Sequence, residues 1–337
     1  MGVQISEILP KRQIEIESLA SKTIAVDALN WLYQFLTSIR QPDGTSLMDS
    51  KGRVTSHLSG LLYRNAKLIE SGIKLVYVFD GKAPELKKTL AAMRREVKEE
   101  AKAKLAAAIE AGDEEEMRKQ ASRTSELTPE MIEESKSLLN ALGIPIIQAE
   151  GEGEAQCALI CKHLDVYAVA SQDYDSLMFG APRTIRNLNI TGKRRIRGRE
   201  IFIYPEMIEL QEVLSSLGLT HEQFIILGIL TGTDYNPGGV KGLGPKKSLK
   251  LVKEFQTFDK IFENVKWEFD VEPRMIFEAF IEKEYSKPAL DFHNADSEKI
   301  KRILCIEHDF SEERVDSVIG KLAEKASQKS LGSFLKS

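Results

Sequence analysis

Seven acidic residues are the first candidates for chemistry, because their type and spacing could hold cations. Glu152 and Glu154 form one pair and Asp173 and Asp175 form a second, each with two-residue spacing. Glu150 adds a further charge beside the first pair. Closely spaced carboxylates repel one another unless cations neutralise them. Three single acids complete the set: Asp27 and Asp80, which follow apolar runs, and Asp234 in a Gly-rich stretch.

These acids would form a magnesium or manganese site rather than a zinc site. Oxygen ligands suit Mg²⁺ and Mn²⁺, and none of the five histidines lies beside these acids in the sequence. A carboxylate-held pair of Mg²⁺ ions about 3.5–4 Å apart typically catalyses phosphodiester hydrolysis, because one ion lowers the pKa of the attacking water and both stabilise the transition state. Helix capping and ordinary surface charge remain the alternative interpretation.

Three apolar runs that lead into these acids are predicted to be strands. They are Thr23–Asp27, residues 74–80 and residues 166–173. Runs of β-branched and aromatic residues are typical of strands buried on both faces, as in a parallel sheet. Helical patterns between them, such as residues 54–71 and 131–142, predict an α/β fold. Ligands gather at the carboxyl ends of such strands, so we expect one pocket there.

Residues 82–123 differ from the rest of the chain because they are rich in Ala, Lys, Glu and Arg and poor in large apolar residues. This composition favours helix, but the lack of a wide apolar stripe predicts a protruding segment. A break between two helices is expected near Gly112, and the first half carries basic residues that include Lys87 and Arg94. Interleaved acids leave open a plain solvated helix with salt bridges.

Two hairpins are the candidate DNA-binding elements. Residues 187–199 predict a β-hairpin with a turn at Gly192 and a basic tip that includes Arg194 and Arg195. Residues 231–248 place a Gly-rich turn between helices predicted at 224–230 and 246–255, as in helix–hairpin–helix proteins that bind the DNA backbone. A simple helical connector is the alternative. The phosphate-binding candidates in this second hairpin are Lys241, Gly242, Gly244, Lys246 and Lys247.

The end of the chain is predicted to be helical from residue 205 and flexible after residue 326, where Ser, Lys and Gly dominate. This tail carries Gln328, Leu331, Phe334 and Leu335 in a loose pattern of glutamine, aliphatic and aromatic residues. An isolated tail gains nothing from these apolar side chains unless they dock on a partner. The pattern is short and occurs easily by chance.

Composition sets further bounds on the protein. The 337 residues, 42% of them hydrophobic, suit one large domain or two intimate ones. The net charge of −4 means that DNA affinity must come from local basic clusters. Three cysteines are too few for a disulfide framework, and Cys157 and Cys161 are expected to be buried in a helix. No apolar run is long enough to span a membrane, so an intracellular, reducing location is expected.

The acid pairs, the Gly-rich hairpin and the tail together resemble the structure-specific 5′ nucleases of the xeroderma pigmentosum G and flap endonuclease family, in their archaeal and eukaryotic form. The resemblance covers nearly the whole chain. Its motifs include the sequences around Asp27, Asp80 and Asp234, Glu150 to Glu154 with the following Ala-Gln, and Asp173-Tyr-Asp175. It implies a PIN-like α/β fold with a central, mostly parallel sheet, a helical arch and a helix–hairpin–helix type motif.

The resemblance also implies roles for individual residues. Asp27, Asp80, Glu152 and Glu154 would hold one Mg²⁺, and Asp173, Asp175 and Asp234 a second, with Mn²⁺ as a substitute. Lys87 and Arg94 would reach over the metals and stabilise charge on the scissile phosphate. Tyr33 would stack on the nucleobase beside the cut, Tyr235 would lie near the active site as a DNA contact, and Gly2 would lie near the catalytic centre. A core role for Tyr235 is the alternative.

The remaining implied features concern DNA and protein partners. The hairpin would bind duplex DNA and hold K⁺ through the carbonyls of Gly239, Val240 and Leu243. The connection at residues 237–239 is slightly longer than in some members of the family, which affects the assignment of these K⁺ ligands. Residues 41–64 would line the upstream duplex and a pocket for a one-nucleotide 3′ flap. The tail would bind the replication sliding clamp, PCNA, although Phe334-Leu335 departs from the family's pair of aromatics.

The predicted activity is cleavage of DNA with a 5′ flap and 5′ exonuclease action at nicks and gaps. The expected role is Okazaki-fragment maturation and repair. The protein is expected to be an intracellular monomer, located at the nucleoid if it is archaeal. An aspartate-nucleophile phosphatase would need Asp-x-Asp after the first strand, and the chain has Asp27-Ala-Leu-Asn30. A non-enzymatic DNA adaptor would have no use for the acids. The predicted regions are 1–100 (N-terminal nuclease), 82–123 (arch), 124–258 (internal nuclease, with the DNA-binding hairpin at 232–255), 259–326 (C-terminal helices) and 327–337 (flexible clamp-binding tail).

Overall fold

A seven-stranded sheet forms the centre of the protein. The structure, a computed structural model, describes residues 3–41, 44–82, 126–190, 192–196, 199–281 and 288–334. The strands of this sheet run in the order β1-β9-β6-β5-β2-β3-β4. Their bounds are β1 Arg12–Gln13, β2 Thr23–Asp27, β3 Lys74–Phe79, β4 Ile146–Gln148, β5 Ala168–Ala170, β6 Arg183–Arg186 and β9 Glu206–Glu209.

The five strands from β6 to the edge strand β4 are parallel, and on the other side β9 pairs antiparallel with both β6 and β1. Alternate residues of β2 and β3 enter two different apolar cores. Ala25, Val76 and Val78 belong to one core, whereas Ile24 and Leu75 belong to the other. The sheet is therefore buried on both faces, which confirms the prediction from the apolar runs.

Helices cover both faces of the sheet. Those packed with the core of Ile24 and Leu75 include α1, α2, α3, α11 and α12, and the opposite core contains α4, α6 and α7. The helices are α1 Ala28–Ser38, α2 Ser56–Glu70, α3 Pro129–Ala141, α4 Gly153–His163, α5 Asp175–Met178, α6 Leu210–Leu217, α7 His221–Thr231, α8 Pro245–Phe255, α9 Phe258–Glu263, α10 Pro273–Phe280, α11 Ser297–Lys301 and α12 Glu312–Phe334.

A buried polar network ties an early turn to the C-terminal part of the chain. His308 places Nδ1 3.4 Å from Asp49 and Nε2 3.4 Å from Glu134 of α3, and His57 of α2 lies 3.1 Å from the same glutamate. The guanidinium of Arg53 pairs with Asp49 at 2.7 Å. We refer to these five side chains as the imidazole–carboxylate network. It joins the turn at residues 49–53, two helices and the segment that precedes α12.

Three expectations from the sequence differ from the structure. The chain after residue 205 is not helical at once, because Glu206–Glu209 forms β9. The basic hairpin pairs β7 (Gly192–Ile196) with β8 (Arg199–Ile203), so Gly192 begins a strand instead of forming the turn. The expected end of the helical part differs too, because α12 continues past residue 326 to Phe334, while flexibility of the tail stays a prediction. Its Ala, Lys, Gln and Leu residues are good helix formers.

Cys157 and Cys161 are buried in α4, as expected. In the ranges that the structure describes, no single helix is long and apolar enough to cross a membrane; one bent pair, Leu210–Leu217 with His221–Thr231, passes only when the two are taken together.

Candidate metal-dependent active site

The carboxyl ends of the parallel strands bring the predicted acids to one edge of the sheet. Asp27 is the last residue of β2 and also the N-cap of α1, where its carboxylate accepts the N–H of Asn30 at 3.1 Å. The amide of Asn30 donates in turn to Asp173 Oδ2 at 2.9 Å. Asp173 follows β5, the parallel neighbour of β2. Asn30 therefore links the acids at the ends of two adjacent strands.

Asp80 and Glu152 meet at the N-terminus of α4. Asp80 follows β3, and its Oδ1 accepts the N–H of Gly153, the first residue of the helix, at 2.6 Å. A Cβ at residue 153 would lie only 2.6 Å from that oxygen, so the carboxylate can approach the backbone this closely because the residue is glycine. Glu152 is the N-cap residue of the same helix. Two predicted ligands are thus positioned by one helix terminus.

Glu154 is the most crowded of the acids. Burial raises the pKa of its carboxyl well above the usual range, and the negative charges of Asp175, Asp27 and Asp173 raise it further. The hydroxyl of Ser171, which donates at 2.7 Å, acts in the opposite direction. Four carboxylates therefore share one region of low solvent access. Such an arrangement is costly unless a cation or a proton neutralises it.

The second acid pair is held from the N-terminal end of the chain. Asp175 is buried at the start of α5, and its Oδ1 accepts the N–H of Val3 at 3.0 Å. The family-based expectation places Gly2 near the catalytic centre; Gly2 itself lies outside the described residues. The hydrogen bond from Val3 nevertheless brings the chain's first described residue to a predicted metal ligand.

Tyr235 is buried, and its hydroxyl donates to Glu152 Oε1 at 2.6 Å. Its ring packs edge-on against Phe280, with 5.7 Å between ring centroids. Burial raises the pKa of the hydroxyl, and the charges of Glu152, Asp175 and Asp234 raise it further, so the group stays protonated and able to donate. Tyr235 therefore lies near the predicted metal ligands with its ring in the core, as the alternative interpretation has it, and a contact with DNA stays a prediction.

Asp234 lies in the connection after α7, which Asn236 organises. The Asn236 Oδ1 atom accepts the N–H and the hydroxyl of Thr233, and its Nδ2 donates to the Ile229 carbonyl at 2.7 Å. The N–H of Tyr235 donates to the same threonine hydroxyl at 3.0 Å. This fully buried asparagine gives the loop a defined shape on both sides of Asp234.

The donor set fits a hard divalent cation, because it consists of carboxylate oxygens and its mutual repulsion is relieved by positive charge. Across the described ranges, no three His, Cys, Asp or Glu side chains already stand as a ready-made metal group. The carboxylates of Asp27, Glu154, Asp173 and Asp175 nevertheless lie close enough for their charges to interact.

The Gly-rich hairpin presents exposed lysines next to the N-terminus of α8. Lys241, Lys246 and Lys247 are exposed, and Gly244 is the N-cap residue of the helix. The Lys247 ammonium donates to the Gly242 carbonyl at 3.2 Å, and Lys246 pairs with Glu7 at 3.3 Å. These groups and the free helix terminus form a surface suited to phosphate oxygens.

Other predicted residues fall in several places. Tyr33 is 44% exposed on α1, one turn beyond Asn30. The carbonyl of Val240 accepts the N–H of Leu243, so one of the expected K⁺ ligands already has a partner. Arg194 and Arg195 lie on β7, and Gln328, Leu331 and Phe334 on α12. Lys87, Arg94 and Leu335 lie outside the described residues.

Sequence reasoning missed residues that contact the acids or the chain beside them: Asn30, Ser171, Asn236 and Arg186, whose guanidinium donates to the Gln172 carbonyl at 2.9 Å. Asn30, Ser171 and Asn236 each sit within four residues of a predicted ligand, which is the one signal that could have drawn attention to them. Arg186 gives no such signal, because it lies on the following strand, β6, and no predicted ligand is near it in the sequence.

Comparison with known proteins gives independent support. Residues 1–101 match the XPG N-terminal domain and residues 143–234 match the XPG I-region. The chain is 53% identical to flap endonuclease 1 of Pyrococcus abyssi, over 96% of this chain and 94% of that protein, and 48% identical to the Aeropyrum pernix protein, over 98% and 97%. Flap endonuclease-1 from Methanococcus jannaschii superposes with a TM-score of 0.78 at 42% identity, over 97% of this chain and all of that one. The catalytic core of Rad2 in complex with DNA substrate gives a TM-score of 0.72 at 26% identity, over 96% and 100%.

The chain has a mostly parallel sheet with acids at its carboxyl edge, and its sequence matches the XPG regions. These features define a metal-dependent phosphodiester hydrolase of the structure-specific nuclease class. Metal dependence is general for these enzymes. The relatives that match over nearly the whole chain narrow this class further. The chain belongs to the flap endonuclease family.

Proposed function

We propose that this protein binds DNA at flap junctions and hydrolyses a phosphodiester bond next to the junction, with 5′ exonuclease activity at nicks and gaps. The observation that supports this conclusion is the position of Asp27, Asp80 and Asp173 after neighbouring parallel strands, with the charges of Asp27, Asp173 and Asp175 acting on Glu154. The similarity to flap endonucleases extends over nearly the whole length of this chain and of those proteins, which supports a DNA flap as the substrate. Okazaki-fragment maturation and DNA repair inside the cell are the settings that supply such substrates.

Two Mg²⁺ ions would be held by the acids, the first by Asp27, Asp80, Glu152 and Glu154 and the second by Asp173, Asp175 and Asp234; Mn²⁺ would substitute. The bound ions would activate water and stabilise charge on the phosphate. The chain's own groups hold these ligands in place. Tyr235 orients Glu152, Asn30 orients Asp173, and the N–H of Val3 orients Asp175.

Substrate contacts would come from elements around this edge. Exposed Tyr33 would stack on a base near the cut, and Lys87 and Arg94 would stabilise charge on the scissile phosphate from an arch spanning residues 82–123. The lysines at the N-terminus of α8 would contact backbone phosphates without reading sequence. K⁺ bound through the carbonyls of Gly239, Val240 and Leu243 would support the same contact.

Specificity would then rest on DNA shape, since phosphate contacts carry no base information. The C-terminal residues Gln328, Leu331, Phe334 and Leu335 would bind a replication sliding clamp such as PCNA. The protein would act as a monomer on this clamp. These partner assignments rest on the residue pattern and on the family.

The proposed active site is tested with Asp173→Ala and 5′-flapped, blunt-duplex and single-stranded DNA, with Mg²⁺ or a chelator present. We expect wild-type cleavage of the flap only with Mg²⁺, and loss of cleavage with retained flap binding in Asp173→Ala. Asp165→Ala is the matched control, because this exposed residue precedes β5 and so lies at the opposite end of the strand from Asp173. Full activity of Asp173→Ala, or cleavage by wild type in chelator, would overturn the assignment.

A further inference from the structure

Arg186 on β6 contacts the loop that carries the second acid pair. Its Nε donates to the carbonyl of Gln172 at 2.9 Å, and its Nη1 donates to the hydroxyl of Tyr174 at 2.6 Å. Gln172 immediately precedes Asp173, and Tyr174 lies between Asp173 and Asp175. One guanidinium therefore holds the chain on both sides of Asp173.

The contact is enclosed and reinforced. The guanidinium carbon lies 4.6 Å from the centroid of the Tyr174 ring, and that ring is only 4% exposed. On the other side, Nη1 lies 3.3 Å from Glu206 Oε2 of β9, the antiparallel neighbour of β6. Glu206 and the Tyr174 ring thus restrict the rotamers of Arg186. A planar guanidinium that is both stacked and doubly hydrogen-bonded is a rigid support.

The loop is held at its carboxylates and along its backbone, where the N–H of Asp173 also donates to the Ser171 hydroxyl at 3.2 Å. Asp173 itself is reached by the amide of Asn30, and Asp175 by the N–H of Val3, so both acids are held at their carboxylates. Arg186 contacts the residue before Asp173, Gln172, and the residue between the two acids, Tyr174. A shift of this loop would move both carboxylates together, because they are only two residues apart.

We propose that Arg186 is a positioning residue for Asp173 and Asp175, which holds the loop so that both carboxylates lie where a divalent cation can bind them. This inference rests on the proposed metal-binding role of the two acids. Arg186 does not contact the substrate and acts through the backbone of the loop. Groups that orient metal ligands typically change metal affinity or activity by about 10–100-fold when removed.

Arg183 provides a matched control on the same strand. It stacks on the Tyr167 ring at 4.6 Å, pairs with Glu209 of β9 at 3.9 Å and donates to the carbonyl of Tyr167 at 3.4 Å. These are the same kinds of interaction that Arg186 makes, directed at a residue outside the acid loop. Arg183→Gln therefore measures the general cost of removing a stacked, paired arginine from β6.

The experiment measures Mn²⁺ binding without DNA, by the EPR signal of free Mn²⁺, and single-turnover flap cleavage over a range of Mg²⁺ concentrations. We expect Arg186→Gln to weaken Mn²⁺ binding and to raise the Mg²⁺ requirement by about tenfold or more, with unfolding temperature and flap binding close to those of Arg183→Gln. Arg186→Lys should fall between Arg186→Gln and wild type, since an ammonium can replace one of the two hydrogen bonds.

Equal Mn²⁺ binding and equal Mg²⁺ dependence in Arg186→Gln and Arg183→Gln would overturn the positioning role. A drop in unfolding temperature in Arg186→Gln that accounts for the loss of metal binding would overturn it too, because the residue would then be only structural. Asp173→Ala is measured in parallel. Loss of cleavage in Asp173→Ala together with normal Arg186→Gln rejects this inference alone, whereas an active Asp173→Ala rejects the proposed active site.

Discussion

A single methyl group at residue 153 should disrupt the candidate site without disturbing the fold. Gly153 is the first residue of α4, and it does not occupy the left-handed region of backbone space. Alanine there costs no backbone strain and, by its helix propensity, favours the helix by up to about 1 kcal/mol. The new Cβ would lie 2.6 Å from Asp80 Oδ1. The carboxylate must retreat to an ordinary separation of at least 3.4 Å, a shift of about 0.8 Å.

This retreat has two costs. The carboxylate loses a 2.6 Å hydrogen bond from the N–H of Gly153, and hydrogen bonds to charged groups are worth about 1.5–3 kcal/mol. Catalytic groups need positions within about 0.5 Å of the productive geometry, and a misplacement of about 1 Å can cost about 100-fold. We therefore expect Gly153→Ala to reduce single-turnover flap cleavage by about 10–100-fold while its unfolding temperature is unchanged or raised.

Gly151→Ala is the matched control, because a Cβ at residue 151 meets no atom within 4 Å and its backbone is also free of strain. It should cleave flapped DNA at the wild-type rate. The measurement is single-turnover cleavage of an end-labelled flap substrate, with thermal unfolding in parallel. If Gly153→Ala cleaves as fast as Gly151→Ala, then Asp80 does not act from the position that the Gly153 N–H gives it.

Two further outcomes follow from hydrogen bonds and pKa values in the structure. Tyr235→Phe should keep the edge-on packing with Phe280 but lose the bond to Glu152, so single-turnover cleavage should fall about tenfold at unchanged unfolding temperature; an unchanged rate would contradict the orienting role. In the imidazole–carboxylate network, burial alone would raise the pKa of Asp49 and Glu134, but hydrogen bonds and nearby positive charge outweigh it and the pKa of each is lowered. These carboxyls therefore stabilise the fold above their unfolded pKa values of about 4, and this stability is lost as pH falls through their folded values. The urea midpoint should thus drop more steeply below about pH 5 in wild type than in Arg53→Ala, and parallel slopes would refute the assignment.

The sheet and the position of the acids could be predicted because both depend on local pattern. Apolar runs such as Lys74–Phe79 have the composition of strands buried on both faces, and the acids follow them directly. Parallel strands place their carboxyl ends at one edge, so proximity of Asp27 and Asp173 follows from topology alone. The short strand β9 was missed, because four residues of mixed polarity carry little pattern and gain their order from pairing with β6 and β1.

The side-chain contacts of the site could not be predicted, since they join residues far apart in sequence. The bond from Tyr235 to Glu152 spans 83 residues, and the bond from Val3 to Asp175 spans 172. Whether a tyrosine beside an acid packs in the core depends on such contacts, which is why the sequence left both a DNA contact and a core role open for Tyr235. Arg186 shows the same limit, because a basic residue at the end of a strand has no local feature that assigns it to an acid loop.

The imidazole–carboxylate network has a consequence for the order in which the chain can fold. The Ser50 N–H donates to Asp309 at 2.8 Å across 259 residues, and Asp49 and Glu134 meet the imidazole of His308. During synthesis the sheet strands leave the ribosome well before residue 308 does, and contacts this distant in sequence close late. The turn at residues 49–53 therefore reaches its final packing only when translation is nearly complete. A nascent or prematurely ended chain would carry every predicted metal ligand and yet lack this closure.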